Sequence, residues 1–132
     1  MVNQERANNG LAALTWDSSM TSYSDRRAKE ITTDFSHNSA GGEMNVGENI
    51  AKGAISPDMV MDGWMRSDGH RANILNANYT KISVSCYYDG STYYWVHISP
   101  EKTWRLFEQL VIQWANRLSV APFYKLVIPY LY

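Results

Sequence analysis

The apolar residues change their spacing near Thr80, and this change constrains the fold more than any other feature of the sequence. Before Thr80, apolar positions recur every three to five residues, as on one face of a helix. From Thr80 they alternate, and the side chains predicted to share the apolar face are Ile82, Val84, Cys86 and Tyr88. Asp89-Gly90-Ser91 is typical of a turn, and a β-branched and aromatic run over 92–98 follows it. The pattern predicts a β-hairpin in which the Cys86 thiol is buried and inert.

Helices are predicted on both sides of this hairpin. The first covers about residues 1–8, and the second runs from an N-cap at Asp17-Ser18 to about residue 34. A third begins after Ser56-Pro57, and a short fourth covers about residues 70–76. A further helical stripe spans about residues 101–118. Residues 35–53 contain four glycines and are predicted to form a loop. The buried stripe of the second helix is predicted to contain Met20, Tyr23, Ala28, Ile31 and Phe35.

Composition narrows the class of protein. The chain has 132 residues, 45% of them hydrophobic, which suits a single domain with its own core. Twelve basic and thirteen acidic residues without a run of like charge give no indication of nucleic acid or an anionic membrane as a partner. Cys86 is the only cysteine, which excludes an intrachain disulfide. No apolar run reaches the roughly 18–20 residues of a membrane span. No signal-peptide pattern is seen in residues 1–20, which indicates a cytosolic protein or a mature or trimmed chain.

Seven short strings of residues, in register over about residues 1–98, form a larger pattern. They lie at residues 2–6, 10–17, 35–37, 47–51, 64–65, 69–75 and 93–96, and include Gly47-Glu48-Asn49 and Gly69-His70-Arg71. In order and spacing they resemble the CAP superfamily of cysteine-rich secretory proteins, antigen 5 and plant pathogenesis-related proteins, in its disulfide-free bacterial form. The resemblance implies the α/β class, as a three-layer α-β-α sandwich with a small antiparallel sheet, in a secreted or extracellular protein. It implies a CAP domain over 1–98 and leaves 99–132 as a C-terminal extension.

The resemblance also implies a cleft where two histidines and two acidic residues meet. His37, Glu48 and His70 match three of these positions, whereas Ser67 stands where the eukaryotic members have the fourth residue, a glutamate. The two imidazoles could hold zinc or another divalent cation, and in an enzyme Glu48 would act as general base beside them. Further cleft residues are expected to be Asn49 and Asn73.

Each of these residues also has a structural interpretation. A histidine is most often a partly buried, hydrogen-bonded ring, and this interpretation is preferred for His97. Glu48 and Asn49 could serve only to satisfy backbone groups of their loop, and Asn73 is expected to hold the segment that carries Glu48. The aromatic residues expected in the core rather than in a binding platform are Trp16, Trp64, Tyr93, Tyr94 and Trp95.

Three functions stay open at this point. The preferred one is a secreted domain that binds an extracellular, envelope or lipid ligand through the His/Glu cleft, with a divalent metal held there at modest affinity. The second is a protease-like, metal-dependent hydrolase that uses the same cleft. The third is a protein-protein interaction module that uses the C-terminal segment 101–132, which is rich in aromatic residues. The chain could form a homodimer through this segment. Binding without catalysis is the preferred hypothesis, because a fold does not transfer an activity.

Overall fold

The structure is a computed structural model that describes residues 1–37, 46–101 and 113. The helix predicted for residues 101–118 and the rest of the C-terminal segment lie outside the described residues, Glu101 and Gln113 excepted. The helices are α1 (Val2–Asn8), α2 (Thr21–Glu30), α3 (Pro57–Arg66) and α4 (Asp68–Ile74), with a 3-10 turn at Ser18–Met20 before α2. The strands are β1 (Thr15–Trp16), β2 (Val46–Lys52), β3 (Lys81–Tyr88) and β4 (Tyr93–Pro100).

The strands form one sheet in the order β1-β3-β4-β2. The predicted hairpin is β3 and β4, and β2 pairs antiparallel with the other side of β4. β1 adds a two-residue parallel pairing at the outer side of β3. Among the described residues, no helix is long and apolar enough to cross a membrane.

Each face of the sheet carries an apolar cluster covered by helices. Neighbouring residues of a strand point to opposite faces, so Val96 packs toward α2 while Trp95 packs toward α3. Helix α2 therefore forms one layer, and α1, α3 and α4 form the other, which confirms the three-layer α-β-α sandwich. The α2 cluster contains Met20, Tyr23, Ala28, Ile31, Ile50, Tyr94, Val96 and Ile98. The opposite cluster contains Val60, Met61, Trp64 and Ile74.

Local signals account for the helix starts. The Ser56 hydroxyl accepts a hydrogen bond from the Met59 N–H at 3.2 Å, and Pro57 occupies the first turn of α3, as predicted. Asp17 Oδ1 accepts from the Ser19 N–H at 3.2 Å and so begins the turn that leads into α2. Helix α4 begins at Asp68, two residues before the predicted start.

The prediction that Cys86 lies on the buried face of its strand is wrong. The buried residues of β3 are Ser83 and Ser85, whose hydroxyls each lie 2.8 Å from the Ser24 hydroxyl of α2. Cys86 is exposed, and Tyr88 at the end of the strand is 50% exposed. Because helices cover both faces of this sheet, alternation of apolar and polar residues does not mark which face is buried.

The prediction of a loop over residues 35–53 is wrong for its second part, which is β2. This strand pairs with β4 along its whole length, and that pairing outweighs its glycine content. Gly47 is required by packing, because a Cβ there would lie 2.5 Å from the Tyr79 hydroxyl. Glycine therefore allows Tyr79 to close over the start of the strand.

Two aromatic residues predicted in the core are exposed. Helix α2 ends at Glu30, where the Thr33 hydroxyl donates back to the Glu30 carbonyl at 3.0 Å. The chain then leaves the helical path, so Phe35 is 49% exposed instead of continuing the buried stripe. Trp16 is 56% exposed because it lies in the short edge strand β1.

Candidate functional site: a histidine and glutamate cleft

His37 and Glu48 are in direct contact at the centre of the candidate site. Glu48 lies in β2 with 4% side-chain exposure, and His37, which follows α2, has 57%. The distance between His37 Nδ1 and Glu48 Oε1 is 2.9 Å. An ionised carboxylate only accepts hydrogen bonds, so His37 Nδ1 carries the proton and donates it. This arrangement leaves His37 Nε2 as the ring nitrogen that can bind a ligand or a cation.

Arg27 of α2 holds Glu48 from the other side. Its Nε donates to Glu48 Oε2 at 2.8 Å, and its Nη2 donates to Glu48 Oε1 at 3.0 Å. The same guanidinium donates to Glu30 at 2.9 Å and to the Ser36 carbonyl at 2.9 Å. The hydrogen bond to Glu48 raises the pKa of Arg27, so the guanidinium stays charged.

Arg27 is a site residue that no motif in the sequence indicates. The available signal was its position on the buried stripe of α2, four residues after Tyr23 and four before Ile31. An arginine at such a position needs buried acceptors, and β2 with the segment before His37 supplies them.

His70 approaches the same cleft from α4, where it is the third residue and is half-buried. Burial lowers the pKa of His70, and the charge of His37 lowers it further. The ring is therefore neutral near pH 7, as its position at a helix start also favours. The centroid of the His70 ring lies 6.5 Å from that of Trp64. The structure thus places His70 within electrostatic range of His37, without showing a bond between the two rings.

Asn49 and Asn73 connect the backbones that carry the cleft residues. Asn73 Nδ2 donates to the Glu48 carbonyl at 3.0 Å and to Asn49 Oδ1 at 2.9 Å. Asn49, which is fully buried, donates from Nδ2 to the His70 carbonyl at 3.0 Å. These two amides therefore tie β2 at Glu48 to α4 at His70.

His97 of β4 is fully buried below the cleft. Asn49 Nδ2 lies 3.3 Å from its Nδ1, and the Ser99 hydroxyl lies 3.0 Å from its Nε2. Burial, with a smaller contribution from the charge of Arg6, lowers the pKa of His97 to about 4. The ring is neutral and hydrogen-bonded at both nitrogens, which matches its preferred structural interpretation.

The candidate metal-ligating side chains of the cleft are too few for a site of high affinity. Ser67 precedes α4 and brings no carboxylate to the fourth position. Over residues 1–37, 46–101 and 113, no three His, Cys, Asp or Glu side chains converge in a way that could hold a metal ion. His37 and His70 remain as two candidate nitrogen ligands, one fewer than the three protein ligands usual in catalytic zinc sites. Two nitrogen donors without a third protein ligand could hold a divalent cation at most weakly.

Helices on both faces of a four-stranded sheet define the α-β-α class of fold. The Cysteine-rich secretory protein family, CAP, matches residues 1–99. The chain belongs to this CAP family.

Two proteins of Bacillus subtilis are similar to this chain. Uncharacterized protein YkwD of Bacillus subtilis is 34% identical over 106 residues, which covers 69% of this chain and 41% of YkwD. Uncharacterized membrane protein YlbC of the same organism is 29% identical over 99 residues, which covers 64% of this chain and 29% of YlbC. The chain therefore spans less than half the length of either relative.

Two solved structures illustrate the shared fold. An extracellular protein containing an SCP domain from Bacillus anthracis has a TM-score of 0.63 at 23% identity, covering 76% of this chain and 38% of that chain. An outer surface protein from Borrelia burgdorferi has a TM-score of 0.61 at 18% identity, covering 76% of this chain and 87% of that chain. At these identities the likeness shows the fold alone.

Proposed function

We propose that this chain is an extracellular CAP domain that binds its ligand through the cleft of His37, Glu48 and His70, with a divalent cation held by the two imidazoles. The observation that carries the proposal is the 2.9 Å contact between His37 Nδ1 and Glu48 Oε1. A carboxylate that takes the Nδ1 proton of a histidine fixes its tautomer and directs Nε2 toward a metal. His70, kept neutral by burial, offers the second nitrogen. A bound cation would supply a positive centre for an anionic or carbonyl group of the ligand.

The engagement of Glu48 favours binding over hydrolysis. A general base needs an oxygen within reach of the water it activates. In this cleft both Glu48 oxygens already accept hydrogen bonds from Arg27, and one also accepts from His37. These bonds fill three of the about four acceptor sites of the carboxylate, and the side chain is 4% exposed, so Glu48 orients His37 and offers a catalytic water little access. The extracellular location rests on family membership and on what the Bacillus anthracis protein is described to be.

Zinc titration by calorimetry tests the proposal. We expect the wild-type chain to bind Zn²⁺ with micromolar or weaker Kd at pH 7.5, and His37→Ala and His70→Ala each to weaken it by about tenfold or more. Binding should weaken in acid, because a protonated imidazole cannot coordinate a metal ion.

Cys86→Ser is the matched control, because an exposed thiol is itself a zinc ligand. We expect this variant to bind zinc like the wild type. Unchanged affinity in the His37→Ala/His70→Ala double variant would contradict the proposal. A protease and esterase screen of the zinc-loaded chain separates the rival function: turnover that disappears in Glu48→Gln would establish a hydrolase instead.

A further inference from the structure

Two buried amide groups link the cleft to a histidine outside it. The NH₂ groups of Asn49 and Asn73 each have two N–H donors, and every one of the four has an acceptor. Asn73 donates to the Glu48 carbonyl and to Asn49 Oδ1, and Asn49 donates to the His70 carbonyl and to His97 Nδ1. We call these two amides with the His97 ring the amide relay.

The amide relay determines the tautomer of His97. The Asn49 group facing the His70 carbonyl must be the nitrogen, because a carbonyl oxygen can only accept. The same nitrogen faces His97 Nδ1, so Nδ1 accepts and the proton lies on Nε2. The Nε2–H then donates to the Ser99 hydroxyl at 3.0 Å.

We infer that His97 is a positioning residue for the cleft: as the acceptor of the second Asn49 proton, it fixes the amide that sets the His70 backbone against that of Glu48. This inference rests on the proposed function only in naming the cleft as the site that is positioned. The Trp64 ring also connects His97 with His70 by packing. Its centroid lies 5.9 Å from that of the His97 ring and 6.5 Å from that of the His70 ring. Its indole is itself fixed, because Nε1 donates to the Ile50 carbonyl at 3.1 Å.

The relay makes a specific distinction between substitutions at position 97. Leucine removes the acceptor and leaves an Asn49 N–H unpaired in a fully buried place, so the amide should turn and release the His70 carbonyl. Asparagine offers Oδ1 close to where Nδ1 lies and can keep the bond. Mutation of a residue that holds a metal ligand in place through hydrogen bonds typically lowers the metal affinity about 10- to 100-fold. We therefore expect His97→Leu to weaken zinc binding about tenfold and His97→Asn to stay within about threefold of the wild type.

The experiment is histidine ¹⁵N NMR on the metal-free chain, with the wild type and three variants. In the wild type, His97 should show the Nε2–H tautomer. Detection of the Nδ1–H tautomer in the wild type would by itself overturn the relay. His97→Leu should shift the ring resonances of His70, whereas His97→Asn should keep them at their wild-type positions. Ser99→Ala is the matched control, because it removes the partner of the other ring nitrogen and should leave His70 unchanged.

Equal shifts of His70 in His97→Leu and Ser99→Ala would show general loosening and overturn the positioning role. All of these signals are measured without metal. A chain that fails to bind zinc would therefore overturn the proposed function and leave the relay intact, while an unmoved His70 in His97→Leu would overturn the relay alone.

Discussion

At the scale of single residues, the Arg27–Glu48 ion pair positions the side chains of the site more than it stabilises the fold. The two side chains are 1% and 4% exposed. Removing two charges from water costs about as much as their attraction returns, so such a pair adds little net stability. Its geometry has a clearer consequence, because Arg27 also donates to the Ser36 carbonyl beside His37. One guanidinium thus sets both Glu48 and the residue that precedes its histidine partner.

His97 should make the fold sensitive to mild acid. Its folded pKa of about 4 lies below the ordinary value of 6.5, so the unfolded chain binds the proton more readily. The stability that the neutral ring contributes is therefore fully present above about pH 6.5 and is lost as the pH falls toward 4. A shift of this size corresponds to about 3 kcal/mol. We expect urea unfolding to show this loss between pH 7 and pH 4.

His97→Asn is the comparison for that measurement, since it removes the titrating ring and keeps the hydrogen-bond acceptor. Carboxylates titrate in both proteins, so the difference between their pH profiles isolates His97. Parallel profiles from pH 7 to pH 4 would show that His97 is not the buried neutral group described.

At the scale of elements, the sequence predicts those that carry their own signals. Helix α3 begins at Ser56-Pro57 and the hairpin turns at Asp89-Gly90, and both predictions are confirmed. Strands β1 and β2 could not be predicted in this way, because their stability comes from distant partners. Asn49 of β2, for example, pairs with His97 of β4, 48 positions away.

The same limit applies to the site. His37, Glu48 and His70 could be proposed because their surrounding strings resemble a family, and the structure joins His37 to Glu48 directly. Asn49 and Asn73 were proposed on the same grounds. Arg27 and the link from Asn49 to His97 could not be proposed, because these side chains acquire such roles only from the partners that folding places around them. Cys86 was misplaced for a related reason, since burial on a two-sided sheet depends on which helix covers each face.

Helix α3 depends on Trp64, which is 3% exposed and donates from Nε1 to the Ile50 carbonyl. Trp64→Ala would leave a cavity between α3 and the sheet and an unpaired carbonyl. We expect it to lower the free energy of unfolding by about 3–5 kcal/mol, measured by urea denaturation with circular dichroism. Trp16→Ala is the matched control: Trp16 is 56% exposed, and its loss should cost under about 0.5 kcal/mol. A cost below about 1 kcal/mol for Trp64→Ala would contradict its place in the core.

At the scale of the whole molecule, charge is divided unevenly along the chain. Residues 1–101 contain eight basic and twelve acidic residues, whereas residues 102–132 contain four basic and one acidic residue. The two parts therefore carry net charges of opposite sign, which favours their association. The domain also has an apolar groove of about 260 Å³ between α1, α3 and the sheet, lined in part by Val60, Met61, Ile82, Val84 and Trp95.

Deleting residues 102–132, which lie outside the described residues except for Gln113, tests whether that association occurs. The segment is rich in apolar residues at helical spacing from Trp104 to Leu118, and so much apolar surface is not tolerated uncovered in a monomer. We expect it to pack on its own domain or on a second copy, so deletion should lower the Tm or, for the second case, lower the mass measured by light scattering from that of a dimer to that of a truncated monomer, a drop of more than half. Raising the salt concentration should weaken the association in the full chain, because attraction between opposite net charges is screened. A full chain and a truncated chain that are both monomeric and equally stable would contradict both forms of packing.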